Sequence, residues 1–169
     1  MSTTIPVMFL VDAKKLLKEY GHSGTSEHPM KIHHGFKDQI LFTIAPLLEN
    51  LIPGNLIAKA GDTLHWSALA VQSQEYSIFL VRYDSHFGVL SNLKSEDYTA
   101  SYYIPKNADD PDGAVQLAER KRYRMTCHLP KPWGLKIGHW VLRVVDNETG
   151  QTLGHFKFEF AMEVIGHLF

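Results

Sequence analysis

Ten histidines in 169 residues are the compositional oddity of this chain. Four of them, His22, His28, His33 and His34, share one short stretch with Glu27 and Asp38. Imidazole is a common transition-metal ligand, so loop histidines at this spacing can converge on an ion. His28, His33 and His34 are the candidate ligands, and a divalent metal the candidate cofactor. The spacing matches no rigid motif, because a pair such as HExxH needs a helix to bring both rings to one face. The other reading is a polar loop whose histidines face solvent or bond locally. A second set, His65, His128 and His155, falls on the polar side of predicted strands, and His139 opens another. Two or three of these imidazoles meet if their strands are neighbours, and strand order is not written in the sequence.

Other chemistry is thinner. Asp109, Asp110 and Asp112 crowd one loop with oxygen ligands that suit calcium, but the spaced ligands and terminal Glu of an EF-hand are missing. Acidic residues with Pro and Gly are also ordinary turn formers. Neither a GxSxG elbow nor a phosphate-cradling glycine loop is present. Ser67 shares a strand face with His65 outside any nucleophile turn, and Glu159 with His155 reads equally as a charged outer face. The run Arg120–Arg124 keeps its apolar alternation, so it reads as a solvated strand face. Trp133, in PKPWG, and Tyr102 could offer rings for stacking on a small molecule or glycan. The single Cys127 excludes an intrachain disulfide and reads as a buried, inert thiol.

The elements that must position these groups are mostly strands. Gly61–Asp84 gives a turn and then alternation, with Leu64, Trp66, Ala68 and Ala70 on one side. Polar Gln72–Glu75 breaks the run before Tyr76, Ile78 and Leu80 resume it, the pattern of two strands joined by a short loop. Thr4–Asp12 alternates Ile5, Val7, Phe9 and Val11. Asp12 then reads as the N-cap of one short helix, AKKLLKEY, which Gly21 can close. His22–Gly35 is loop by composition, Phe36–Ala45 strand-like, Pro46–Gly54 a connector and Asn55–Ala60 a short strand. Ser85–Asp97 reads as a long loop, Tyr98–Ile104 as strand, and Lys106–Ala118 as a turn-rich excursion. Lys121–Leu129, Gly138–Val145 and Gln151–Met162 close the chain, the last two joined by the hairpin loop Asp146–Gly150. The expected fold is mainly β: one domain over residues 1–169, an antiparallel β-sandwich, jelly-roll-like or immunoglobulin-like, of about eight or nine strands with one short N-terminal helix.

Composition narrows the partners. A hydrophobic share of 44% and a charged share of 21% are ordinary for a globular protein. The formal net charge of −1 supplies no basic field, so no nucleic-acid partner is expected. Near-neutrality also leaves the chain less protected from self-association. The opening residues, MSTTIPVMFLVDAKKLL, lack a basic n-region and a cleavage site, and their apolar run is too short to span a bilayer. The expectation is a cytoplasmic protein without membrane insertion.

Several segments together resemble the AidA/PixA family. They are the opening strand ending in Asp12 with its helix to Tyr20, the loop with Ile32 and His34, GDTLHW with IFLVRYD, and the aromatic closing strand GHFKFEF. The order of these weak matches carries the resemblance over most of the chain. It implies a compact β-sandwich, and an association with autoinducer-dependent expression, intracellular inclusions and host-associated bacteria. It implies no catalytic residues. Having only five methionines, the chain departs from the methionine-rich inclusion proteins, which counts against a storage role. The expected function is a non-enzymatic β-sandwich protein that binds a ligand or itself in a quorum-regulated or host-associated bacterial setting. The alternatives are a metal-binding protein or metal-dependent enzyme using the loop histidines, and a carbohydrate-binding module using Trp133 and Tyr102.

Overall fold

Strands with one apolar face must bury it, and here two sheets stack to do so. The computed structural model describes residues 2–44, 51–52, 55–85, 90 and 92–166. One sheet runs in the order β3 (Leu41–Ile44), β1 (Thr4–Val11), β6 (Thr63–Ala70), β9 (Val115–His128), β8 (Lys94–Pro105). The other runs β4 (Leu51–Ile52), β5 (Asn55–Lys59), β11 (Thr152–Ile165), β10 (Leu135–Asp146), β7 (Tyr76–Asp84), and β2 (Met30–Lys31) also pairs with β11. The mainly β, two-sheet expectation is met. Among the described residues the strands number eleven, because β2 and β4, of two residues each, add to those foreseen.

Among the described residues three pairings, β1 with β6, β2 with β11 and β5 with β11, are parallel, and the other six are antiparallel. Side-chain periodicity is the same for either direction, so the alternation could not announce them. The expected ribbon Gly61–Asp84 is likewise two strands but not a hairpin. β6 pairs with β1 and β9, whereas β7 pairs with β10, so the turn after Ala70 carries the chain from one sheet to the other.

Large rings fill the space between the sheets. Trp66 of β6 and Trp140 of β10 lie 5.0 Å apart, centroid to centroid, and Phe9 of β1 sits 5.1 Å from Phe158 and 5.3 Å from Phe160 of β11. Aromatic pairs at such spacings add roughly 0.5–1.5 kcal/mol each beyond the area they bury. Leu64, Val7, Leu142 and Met162 complete the same cluster. Along β11, residues alternate buried and half-buried from Gly154 to Val164, as its sequence required.

The helix α1 (Ala13–Tyr20) forms as read, with the Asp12 carboxylate accepting from the Lys15 N–H at 3.0 Å and Gly21 closing the last turn. A second helix, α2 (His34–Ile40), corrects the strand expected over Phe36–Ala45, where only Leu41–Ile44 is extended. Phe36 and Ile40 stand four apart, a spacing that helix and strand periodicities share. Ala45 lies outside the described residues, as does the connector of residues 46–54 apart from β4. The turn-rich excursion is shorter than expected, since β9 starts at Val115, and β8 starts at Lys94 within the supposed long loop, of which residues 86–89 and 91 lie outside the described residues.

The Gly61-Asp62 turn is the knot of the fold. Gly61, at φ 94°, adopts a left-handed conformation that side chains resist, and its N–H donates to Leu129 O at 2.6 Å. Asp62, 5% exposed, is the buried charged residue among those described. Its carboxylate accepts from the backbone N–H of Thr3 at 3.0 Å and of Lys59 at 2.9 Å, and its carbonyl accepts from Leu129 N–H at 2.9 Å. The side chain therefore ties the start of β1 to the end of β5, and the backbone carbonyl adds the end of β9. Charge-assisted hydrogen bonds contribute roughly 1.5–3 kcal/mol each, so Asp62→Ala is expected to lower the unfolding free energy by about 3 kcal/mol in urea titrations. A loss below about 1 kcal/mol would show that water replaces the carboxylate and that the knot is not needed.

Candidate functional site

The histidine-rich loop is fastened to the outer face of the second sheet. Ser23 O accepts from His155 N–H at 3.1 Å, and the Arg82 guanidinium donates to Ser26 O at 2.5 Å. Gly24 (φ 78°) passes so close to β11 that a Cβ there would sit 2.0 Å from His155 O. Anchored in this way, the loop does not gather its histidines into a set of three ligands among the described residues. His28 donates its backbone N–H to Thr25 Oγ1, His33 donates its own to Tyr20 Oη, and His34 opens α2. All three side chains are exposed. Among the described residues no three His, Cys, Asp or Glu side chains come together in a group that could hold a metal ion.

The strand histidines divide between the sheets. His65 and His128 lie on β6 and β9, where His128 Nδ1 is 3.4 Å from Thr63 Oγ1. His139 and His155 lie on β10 and β11, opposite Glu159 and Arg143 respectively. Glu159 thus faces His139, and its expected partner His155 is four residues away along the strand. Burial lowers the pKa of His65, His139 and His155 below 6.5, with the nearby cations Arg124, Lys31 and Arg143 acting in the same direction. Around His65 a polar patch has formed: Glu96 accepts from Arg124 Nε at 2.5 Å and from Thr126 Oγ1 at 2.7 Å, which hold its carboxyl below its ordinary value. Cys127 is buried, and desolvation pushes its thiol up to about 11, the inert state expected of it.

Trp133 and Tyr102 do not meet. Trp133 packs half-buried on the core and its backbone N–H donates to Val164 O at 2.9 Å. Tyr102 stands far out on the β8–β9 ribbon, opposite Ala118.

That ribbon is the feature sequence reading missed. β6 and β9 pair only from Thr63–His128 to Trp66–Met125. Past that point β8 and β9 continue as a two-stranded arm, from Glu96–Arg124 out to Pro105–Val115. At ~3.3 Å per residue the arm is roughly 30 Å long. It carries large apolar side chains in the open: Tyr103 is 71% exposed, Leu117 57%, Val115 52% and Tyr102 43%. Register places Tyr103, Leu117 and Val115 on one face and Tyr102 on the other. The signal was present in the alternation of VQLAERKRYR, but the turn formers before it drew the boundary too late.

Where β9 leaves β6 a cleft of about 370 Å³ opens, lined by Ser67 and Leu69 of β6, Phe79 of β7, Asp97 and Tyr98 of β8, and Arg120, Lys121 and Arg122 of β9. Tyr123 explains the parting, because its hydroxyl donates to Leu80 O of β7 at 3.0 Å and its ring meets Phe79 edge-on. Arg120, Lys121 and Arg122 make no ion pair among the described residues. The arm tip carries Asp109, Asp110 and Asp112 in a tight turn, where Asp110 O accepts from Gly113 N–H. Along the arm the order is therefore basic, apolar, acidic.

A family model described as PixA, inclusion body protein, matches residues 3–164. Among solved structures, an inclusion body protein (PixA) from Burkholderia cenocepacia J2315 is similar at 11% identity, with 97% of each chain covered and a TM-score of 0.67. A family 123 glycoside hydrolase from Clostridium perfringens aligns at 10% identity over 97% of this chain and 28% of that one, with a TM-score of 0.33, too low to carry an argument. No curated protein matches by sequence. Among the described residues no helix is long and apolar enough to cross a membrane.

The strand histidines generate a pH prediction. An imidazole whose folded pKa lies below 6.5 binds its proton more readily in the unfolded chain. Stability is then full above pH 6.5 and falls as the pH drops through 6.5 towards the lowered folded values. Thermal unfolding between pH 8 and 5, in steps of about half a unit, is expected to show this fall, and His139→Gln is expected to flatten it. An unchanged slope in the variant would remove His139 from the account.

Proposed function

This chain belongs to the PixA family of inclusion body proteins, and from that premise we propose a non-enzymatic β-sandwich module that associates with further copies of itself through the β8–β9 arm. The setting carried by the resemblance is the cytoplasm of a host-associated bacterium, under quorum regulation. One observation carries the reading: four large apolar side chains stand exposed on a ribbon that two strands alone must hold. An isolated two-stranded ribbon is marginal in water, and long unpaired edges invite pairing with another chain. The outer edge of β8 is unpaired among the described residues, and so is the β9 edge from Val115 to Arg124. A net charge of −1 adds little long-range repulsion to oppose the approach of a second copy.

Sedimentation equilibrium from micromolar to millimolar concentration tests this. The mass is expected to rise with concentration. Replacing Tyr103 and Leu117 by Ser is expected to weaken association by at least about tenfold, since burying each such side chain contributes roughly 1.5–3 kcal/mol. Far-ultraviolet circular dichroism checks that the variant folds. A strict monomer throughout the range would overturn the proposal.

A further inference from the structure

Resting on that reading, we infer that the partner is engaged by antiparallel pairing of β9 with β9 of a second copy, and that each acidic arm tip enters the basic cleft of the other. Three independent features fit together in this arrangement. The free edge of β9, Val115 to Arg124, offers backbone donors and acceptors that need a strand. The cleft opens along that same edge, where β9 parts from β6. The charge order along the arm is complementary to itself when reversed, which is the condition for a closed two-fold contact.

The register follows from the charges. A two-fold axis near Ala118 sets Gln116 opposite Arg120 of the partner subunit and Ala114 opposite Arg122 of the partner subunit. Each tip, Asp109 to Asp112, then begins where the other copy's cations stand at the cleft mouth. On one face Leu117 lies directly opposite Glu119 of the partner subunit and diagonally across the axis from its own symmetry mate, and Tyr103, its neighbour on β8, extends that apolar surface. Lys106 at the tip and Asp97 and Glu119 near the base reduce the charge contrast without reversing it, with three carboxylates against one lysine and three cations against two carboxylates. A pairing in the parallel sense would bring basic base onto basic base and acidic tip onto acidic tip. The charges thus select the antiparallel arrangement and penalise the parallel one.

A charge-exchange experiment on the full chain decides it. One variant carries Asp109→Lys and Asp112→Lys, and leaves Asp110, whose carboxylate lies against Gly113. The other carries Arg120→Glu and Arg122→Glu, at exposed positions without ion pairs among the described residues. Each alone is expected to associate about tenfold or more weakly than the original chain. Mixed in equal amounts, the two are expected to form a heterodimer, because the reversed tip of one meets the reversed base of the other. A fold defect in either variant cannot produce that rescue. Ala118→Cys adds a register readout, and is expected to yield a covalent dimer under mild oxidation, as residues directly opposite across an antiparallel pair lie within disulfide reach. If the charge variants associate normally while the Tyr103 and Leu117 variant does not, arm-mediated assembly stands and this pairing is wrong. If the charge variants are weakened but no heterodimer forms, the tip-to-cleft contact is likewise refuted. If the original chain stays monomeric at millimolar concentration, the assembly reading itself fails.

Discussion

The contact on which the remaining structure depends is the meeting of Trp66 and Trp140 between the sheets, flanked by Phe9, Phe158 and Phe160. Trp66, Trp140, Phe9 and Phe158 are among the largest fully buried side chains of the described residues, and they fix which strands are central. β1, β6, β10 and β11 each contribute at least one, so these four stack face to face around the aromatic centre. Neither indole N–H finds an acceptor among the described residues, so what the tryptophans supply is packing. Asp62 secures the same arrangement at one end, where its carboxylate binds the start of β1 in one sheet to the end of β5 in the other.

The aromatic centre also explains why an arm exists. Beyond Trp66 the inward residues of β6 are Ala68 and Ala70, and there β6 stays paired with β1, Phe9 opposite Ala68 and Val11 opposite Ala70. On β9 the next inward residue after Met125 is Tyr123, whose hydroxyl is bound to β7 of the opposite sheet. β9 therefore turns away from β6, taking β8 with it, and leaves an open edge and a cleft. Local stability follows burial, so the arm belongs to the low-stability end of the molecule while β10 and β11 belong to the high end. A segment of that kind gains most from a partner that covers it.

Much of the fold was legible because burial on one side leaves a period. The alternation of Ile5, Val7, Phe9 and Val11, and of Phe156, Phe158, Phe160 and Met162, marked β1 and β11, and Asp12 and Gly21 marked both ends of α1. The failures have physical causes. Pairing partners and direction leave no trace in a single strand, which hid the parallel contacts and the passage from β6 to β7 between sheets. Phe36 and Ile40 satisfy two periods at once, which hid α2. The histidines illustrate the converse: His28, His33 and His34 are close in sequence, but the loop pinned to β7 and β11 does not join them in a ligand set among the described residues. The arm was legible only in part. Its residues were read as strand on the β8 side and as turn on the β9 side, because Asp109 to Gly113 are strong turn formers and a turn tells nothing of how far its strands extend.

Hydrogen exchange measured at several protein concentrations tests the central claim most directly, since it watches the arm itself. Amides of β9 between Gln116 and Arg122 are expected to exchange more slowly as concentration rises, while those of β10 and β11 keep their rates. Arm amides whose exchange is the same in dilute and concentrated solution would contradict the account, because a ribbon covered by a second copy cannot remain as open as one standing alone.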